Sequence, residues 1–237
     1  MRQVLARYKR KFKKYFFLLK NQTNEYKIDV ALKHDWFGND YGGFPVYGNY
    51  LTNQSTVFSF GVGEDISFDA SLFDKYKCNM FLFDPTPRSI EFIESQQLPD
   101  NFKFYSYGIG KVTGFVDFHL PANPNYVSGS LLNHKNVSET AKITVQMKSW
   151  EDICNELNIK KVDILKIDIE GSEYDVLADV LNSDVAVKQI LIEFHSRYFD
   201  NGDEMTKNAI KLIKSKGYNL YSISDSLEEF GFLKKES

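Results

Sequence analysis

The chain has 237 residues, 26% charged and 43% apolar, with a formal net charge of −3. That length fills one α/β domain with a sizeable core, and the composition excludes a disordered chain and a membrane-spanning bundle. The two cysteines, Cys78 and Cys154, lie far apart and form no CxxC pair, so they read as reduced core thiols of a cytoplasmic protein rather than as a disulfide frame.

Charge is concentrated at the start. Residues 1–20 hold eight Lys and Arg and no acid, so the rest of the chain is eight units more negative than the whole and will not attract a nucleic acid backbone. The run Tyr15-Phe16-Phe17-Leu18-Leu19 is too short for a signal-peptide core or a bilayer span. It is either a first helix whose aromatic residues pack on the domain or a helix lying peripherally on the inner face of the membrane. The aromatic-rich stretch from Trp36 to Tyr47 follows; it caps the sheet, stacks on a sugar ring or covers a cofactor. The organisation expected is a basic arm and aromatic cap over 1–50, then one domain over 51–237 with an inserted loop at about 111–147.

From Thr56 to Phe60 an apolar strand runs into a glycine turn, Gly61-Val62-Gly63, and a helix is expected over 66–77. A second apolar strand, 79–84, ends on Asp84, 23 residues after Gly61. Glycine permits backbone angles closed to other residues and lets main-chain N–H groups approach a ligand. A carboxylate ending the next strand accepts hydrogen bonds from ribose hydroxyls. Phe60, Gly61, Gly63, Asp84, Pro85 and Thr86 therefore form an expected pocket for an adenosine-bearing cofactor. Glu64 and Asp65 follow the turn, where they would repel a pyrophosphate but suit the ammonium of S-adenosylmethionine. The residues favour S-adenosylmethionine over NAD, with Asp65 at its amino acid end.

A helix over 88–97 and a strand over 102–107 continue the alternation that builds a parallel sheet with covered faces. The rhythm then breaks: strands at 112–120 and 143–147 flank a Pro-, Asn-, Ser- and Gly-rich loop, 121–138, long enough to serve as a substrate lid. After a helix near 149–157, the run Val162 to Ile167 reads as a central strand buried on both faces. Asp168 and Glu170 stand at its carboxyl end, where α/β sheets bind ligands. Glu170 and Ser172 are also placed to cap the helix that follows, 174–181. The next strand, Gln189 to Phe194, ends with Glu193 and His195, so Asp168 and Glu193 should share adjacent strand tips. The alternative is that Lys166 pairs with Glu193 as a purely structural contact. Asp168, Glu193 and His195 are the expected catalytic group, since histidine titrates near neutral pH and accepts a proton from a hydroxyl. The same three residues are a candidate ligand set for a divalent cation. Asp203 should cap a last helix, 205–216, stopped by Gly217, and 218–224 with 229–233 form a terminal hairpin.

Together the elements give a seven-stranded, mostly parallel α/β sheet with a C-terminal antiparallel hairpin. The stretch VDILKIDIEGSEYDVL, Val162 to Leu177, with FSFGVGEDISFD and FDPTPRSIEF, resembles the FkbM-type family of S-adenosylmethionine-dependent methyltransferases. The resemblance implies a class I methyltransferase (Rossmann-like) fold. It also implies methyl transfer to a hydroxyl of a sugar, glycan or related metabolite, with Asp168 at the cofactor–substrate junction. Two positions depart from the pattern: Ser59 stands where many methyltransferases have an acid, and Asp65 replaces a later glycine. A nicotinamide-dependent oxidoreductase and a catalytically silent cofactor-binding module are the alternatives. Oligomeric state is not legible in the sequence.

Overall fold

The computed structural model describes Lys14, residues 25–121 and residues 137–235. Its centre is a seven-stranded sheet built from β3 (Thr56–Phe60), β4 (Asn79–Phe83), β5 (Phe102–Tyr105), β9 (Lys161–Ile167), β10 (Ala186–Glu193), β11 (Tyr218–Ile223) and β12 (Glu229–Lys234). The strand order is β11-β12-β10-β9-β3-β4-β5. The five strands from β5 to β10 pair in parallel, and β12 enters antiparallel to both its neighbours. This is the class I methyltransferase order that the resemblance implied.

Each central strand is apolar on both sides because each side is covered. In β3, Val57 faces one core, while Phe58 and Phe60 face the other. Burial of one such phenyl ring contributes about 2–3 kcal/mol. The core containing Phe58 is closed by α3 (Trp150–Glu156), α4 (Glu173–Asn182) and α5 (Gly202–Ser215), through Trp150, Ile153, Val176, Leu177, Ile210 and Ile213. The opposite core is closed by α1 (Ser67–Tyr76), α2 (Pro87–Glu94) and a small hairpin, β1 (Asp35–Phe37) with β2 (Phe44–Val46).

That hairpin resolves the aromatic-rich stretch into two populations. Phe37, Phe44 and Val46 are buried, whereas Trp36 and Tyr41 are exposed. The Tyr221 hydroxyl donates to the Pro45 carbonyl at 2.7 Å, tying the hairpin to the main sheet.

The break in rhythm after β5 is a three-stranded sheet of β6 (Gly108–Ile109), β7 (Gly114–Pro121) and β8 (Val137–Lys148), with β7 and β8 antiparallel. The second strand runs longer than the expected 143–147, while the first is close to the expected 112–120. The expected lid falls largely on residues 122–136, outside the described residues, as does the basic arm except for Lys14. The Lys14 ammonium reaches the Ile223 carbonyl and lies 3.6 Å from Asp225, at the β11–β12 connection. No helix among the described residues is long and apolar enough to cross a membrane.

Two capping expectations are corrected. Helix α5 begins one turn before Met205 with Asn201, not Asp203, at its N-cap, and Asp203 instead accepts from the Tyr26 hydroxyl at 2.9 Å. Ser172 is the N-cap of α4 by position but makes no capping bond, because the helix start is held by Glu173, whose Oε2 accepts the Gly171 amide at 2.8 Å.

Candidate active site

The glycine turn and the acid of the neighbouring strand meet, as expected, but they grip each other. Asp84 Oδ2 accepts the amides of Val62 and Gly63 at 3.0 and 2.9 Å, and Oδ1 accepts the Thr86 amide and hydroxyl at 2.9 and 2.6 Å. The Gly61 amide donates to the Phe83 carbonyl at 3.0 Å. A carboxylate offers about four acceptor positions, so all are filled, and the turn amides that were expected to face a ligand are spent internally. One partner is replaceable. The Thr86 hydroxyl also lies 3.0 Å from Ser89 Oγ, and turning to it would vacate a position on Oδ1 for a ribose hydroxyl.

The two glycines serve different ends. Gly61 has φ +81°, and a Cβ there would fall 1.6 Å from the Asp168 carbonyl oxygen. Glycine is needed there because the tips of β3 and β9 touch, backbone to backbone. Gly63, at φ +58°, would place a Cβ in open space with nothing within 4 Å. Room is therefore left at Gly63, whose amide reaches Asp84.

Two expected cofactor contacts and one expected ion pair have a different geometry from that anticipated. Phe60 is fully buried and stacks on Phe83, with ring centroids 4.4 Å apart, so only its backbone belongs to the turn. Asp65 Oδ1 accepts the Ser67 amide at 2.8 Å and Oδ2 accepts the Asn39 side-chain amide at 2.7 Å. The Asp65 carboxylate thus caps the start of α1 and clamps the hairpin loop, with one acceptor position on each oxygen taken. Lys166 pairs with Asp168 at 3.5 Å and donates to the Gly61 carbonyl at 2.7 Å, in place of the anticipated contact with Glu193.

Sequence reading passed over the surroundings of this buried lysine. Ser59, where an acid was missing, faces Asp69 from α1. Ser59 Oγ and Asp69 Oδ1 are both buried without a hydrogen-bond partner. Burial pushes the Asp69 carboxyl up to about 6, against the opposing charge of Lys166. An acid is thus present at this depth, supplied by the helix instead of the strand.

At the tips of β9 and β10 the expected trio assembles. Ile167 pairs with Ile192, which brings Asp168 beside Glu193. His195, 1% exposed, points its Nε2 at Glu170 (3.3 Å), Glu193 (3.4 Å) and Asp168 (3.7 Å). Its other side belongs to Glu173, a residue the sequence reading treated only as a helix start. One Glu173 oxygen accepts the His195 amide at 2.7 Å and faces Nδ1 at 3.0 Å. Such a carboxylate holds the proton on Nδ1 and leaves Nε2 as the working nitrogen. The signal available was a second acid three residues after Glu170, at a helix start beside the next strand tip.

Glu170 sits at φ 53° and takes the Tyr198 hydroxyl at 2.5 Å, while the Tyr198 ring stacks on His195. Burial lowers the His195 pKa, but Glu173, Glu170 and Glu193 outweigh it and push it up to about 10. Burial, reinforced by Asp168, raises Glu193 to about 8. Both shifts have one physical cause: several acids share a single buried ring.

Residues 48–220 match the methyltransferase FkbM domain. The chain belongs to the FkbM methyltransferase family. Membership places it with methyltransferases rather than nicotinamide-dependent oxidoreductases. It is 25% identical over 153 residues to the 2-O-methyltransferase NoeI of Sinorhizobium fredii, covering 59% of this chain and 63% of NoeI. It is 26% identical over 137 residues to the hexuronic acid methyltransferase AglP of Haloferax volcanii, covering 57% of this chain and 54% of AglP. The matches thus span little more than half of these relatives. The crystal structure of methyltransferase FkbM from Methylobacillus flagellatus KT superposes with a TM-score of 0.49 at 12% identity, covering 77% of this chain and 44% of that one.

Proposed function

We propose that the chain is an S-adenosylmethionine-dependent O-methyltransferase acting on a hydroxyl of a sugar, glycan or related metabolite. The observation that carries this reading is the contact of Gly61 with Asp168, which sets the cofactor turn directly against the acid–imidazole cluster. The names of NoeI and AglP support a sugar acceptor. When bound, S-adenosylmethionine supplies an electrophilic methyl group on a sulfonium sulfur. Open space at Gly63 and the exchangeable Thr86 hydroxyl fit its ribose beside Asp84.

Transfer forms a bond from the acceptor oxygen to the methyl carbon while the carbon–sulfur bond breaks and its electron pair stays on sulfur. The chain has two tasks. Alignment of the two partners is worth about 7–11 kcal/mol at best. The hydroxyl proton must also leave, because an alcohol is a poor nucleophile. Asp168, Glu193 and His195 are the proposed catalytic group, because they stand together at the strand tips where that proton would be taken up. The same three residues would alternatively acidify the hydroxyl through a divalent cation.

Calorimetry with S-adenosylhomocysteine and NAD in parallel, followed by incorporation of labelled methyl into a fractionated host extract, tests the reading. Binding of the first ligand with label appearing in a sugar-containing fraction is the expected result. Binding without incorporation would mark a silent cofactor-binding module, and binding of NAD alone would overturn the assignment.

A further inference from the structure

We infer that Asp168, Glu193 and His195 bind one divalent cation of the Mg2+ or Mn2+ class, with Glu170 at its edge and Glu173 as the positioning residue that fixes the imidazole. The inference rests on the reading that this cluster is the acceptor end of the site. One ligand atom from each of the three residues lies within 4.8 Å of the others. Acids alone would not make a site; the decisive feature is the imidazole.

His195 is held on its Nδ1 side by Glu173, in the way that outer carboxylates orient metal-binding histidines. Its Nε2 makes no hydrogen bond among the described residues, although it is buried and aimed at three carboxylates, 3.3, 3.4 and 3.7 Å away. Charge-assisted N–H···O bonds close to about 2.7–2.9 Å. The separations from Nε2 to Glu170 and Glu193 are longer than that and match the edges of a coordination shell, where bonds near 2.1 Å set neighbouring ligand atoms about 3.0–3.4 Å apart, with Asp168 slightly farther.

Charge points the same way. Asp168, Glu170, Glu173 and Glu193 converge on one ring, and the nearby fixed cations are shared out: Lys166 with the Gly61 carbonyl and Asp168, Arg197 with Glu193 and Glu228. Mostly carboxylate donors with one imidazole suit Mn2+ or Mg2+ better than a thiophilic metal. An acceptor hydroxyl taken up as a further ligand would lose its proton more readily, the proton passing to Glu170.

The test is Mn2+ binding to the full chain, followed by loss of the free-ion EPR signal, with Mg2+ as competitor and S-adenosylhomocysteine binding measured on the same samples. One saturable Mn2+ per chain is expected, weakened at least tenfold in Glu193→Gln and in Asp168→Asn and unchanged in Asp35→Asn, a remote exposed acid. Because His195→Ala takes the imidazole partner from the buried Glu173 and is prone to misfold, the two amide variants carry the decision. Mn2+ binding no tighter in the native chain than in Glu193→Gln, with S-adenosylhomocysteine still bound, would overturn the cation site and leave the methyltransferase reading standing. Loss of S-adenosylhomocysteine binding by the native chain would instead defeat the functional reading beneath it.

Discussion

The amide and Nδ1 of His195 both close on one oxygen of Glu173, at 2.7 and 3.0 Å, while the other oxygen of Glu173 accepts the Gly171 amide at 2.8 Å. A single fully buried carboxylate therefore ties the start of α4 to the residues just after β10. Removing it leaves three buried donors unsatisfied. We expect Glu173→Ala to lose roughly 3–5 kcal/mol in urea unfolding. Glu173→Gln should lose less, because its carbonyl can serve His195, although its NH2 then opposes the Gly171 amide.

The two glycines of the cofactor turn should separate folding from binding. Gly61→Ala drives a methyl into the Asp168 carbonyl and should cost about 3 kcal/mol or more, read as a large fall in Tm. Gly63→Ala meets open space and should lose only about 1 kcal/mol of stability for its left-handed backbone. Its methyl would, however, occupy the nucleoside space, so calorimetry should show S-adenosylhomocysteine binding weakened at least tenfold in a folded protein.

Asp84 is a keystone of the turn and, in the proposed function, the ribose ligand. In Asp84→Asn the side-chain NH2 must face backbone N–H donors on one side or the other, which should cost about 2–3 kcal/mol. The same variant should bind S-adenosylhomocysteine at least tenfold more weakly. Unchanged affinity would show that the ribose lies elsewhere.

Asp69 should give stability a pH dependence of unusual sign. Its folded pKa of about 6 lies above the 3.8 of an unperturbed aspartate, so between those values the folded chain binds more protons than the unfolded one. This group's contribution therefore falls as pH rises through that window, and the charged side chain is a burden above it, by up to about 3 kcal/mol. The Tm of Asp69→Asn relative to the native chain should rise between pH 4.5 and 7.5, and a flat difference would show that Lys166 fully compensates the charge.

The parts legible in the sequence were those set by strand patterning. Val162 to Ile167 and Gln189 to Phe194 announced buried parallel strands, and a buried strand fixes what stands at its tip. That is why Asp168, Glu193 and His195 were found together. Side-chain partnerships formed across elements were not legible. Asp65 gave no sign that it would cap α1 and clamp Asn39, nor Glu173 that it would turn inward, because helix periodicity assigns a face but not a partner. Lys166 was assigned the wrong acid for the same reason: strand alternation sets its face, and only the β3 backbone shows that the Gly61 carbonyl is nearer than Glu193.

The antiparallel β12, placed between β10 and β11, also bears on how the molecule is made. During synthesis β10 leaves the ribosome with one hydrogen-bonding edge bare, and β11, emerging next, cannot cover it because the intervening place is reserved for residues 229–234. Glu193 pairs with Glu229, and the Phe194 amide is held by the Glu228 carbonyl at 2.8 Å. The chemical end of the crevice is therefore shaped last. A nascent chain stalled before residue 229 would carry an open apolar strand edge of the kind that seeds aggregation.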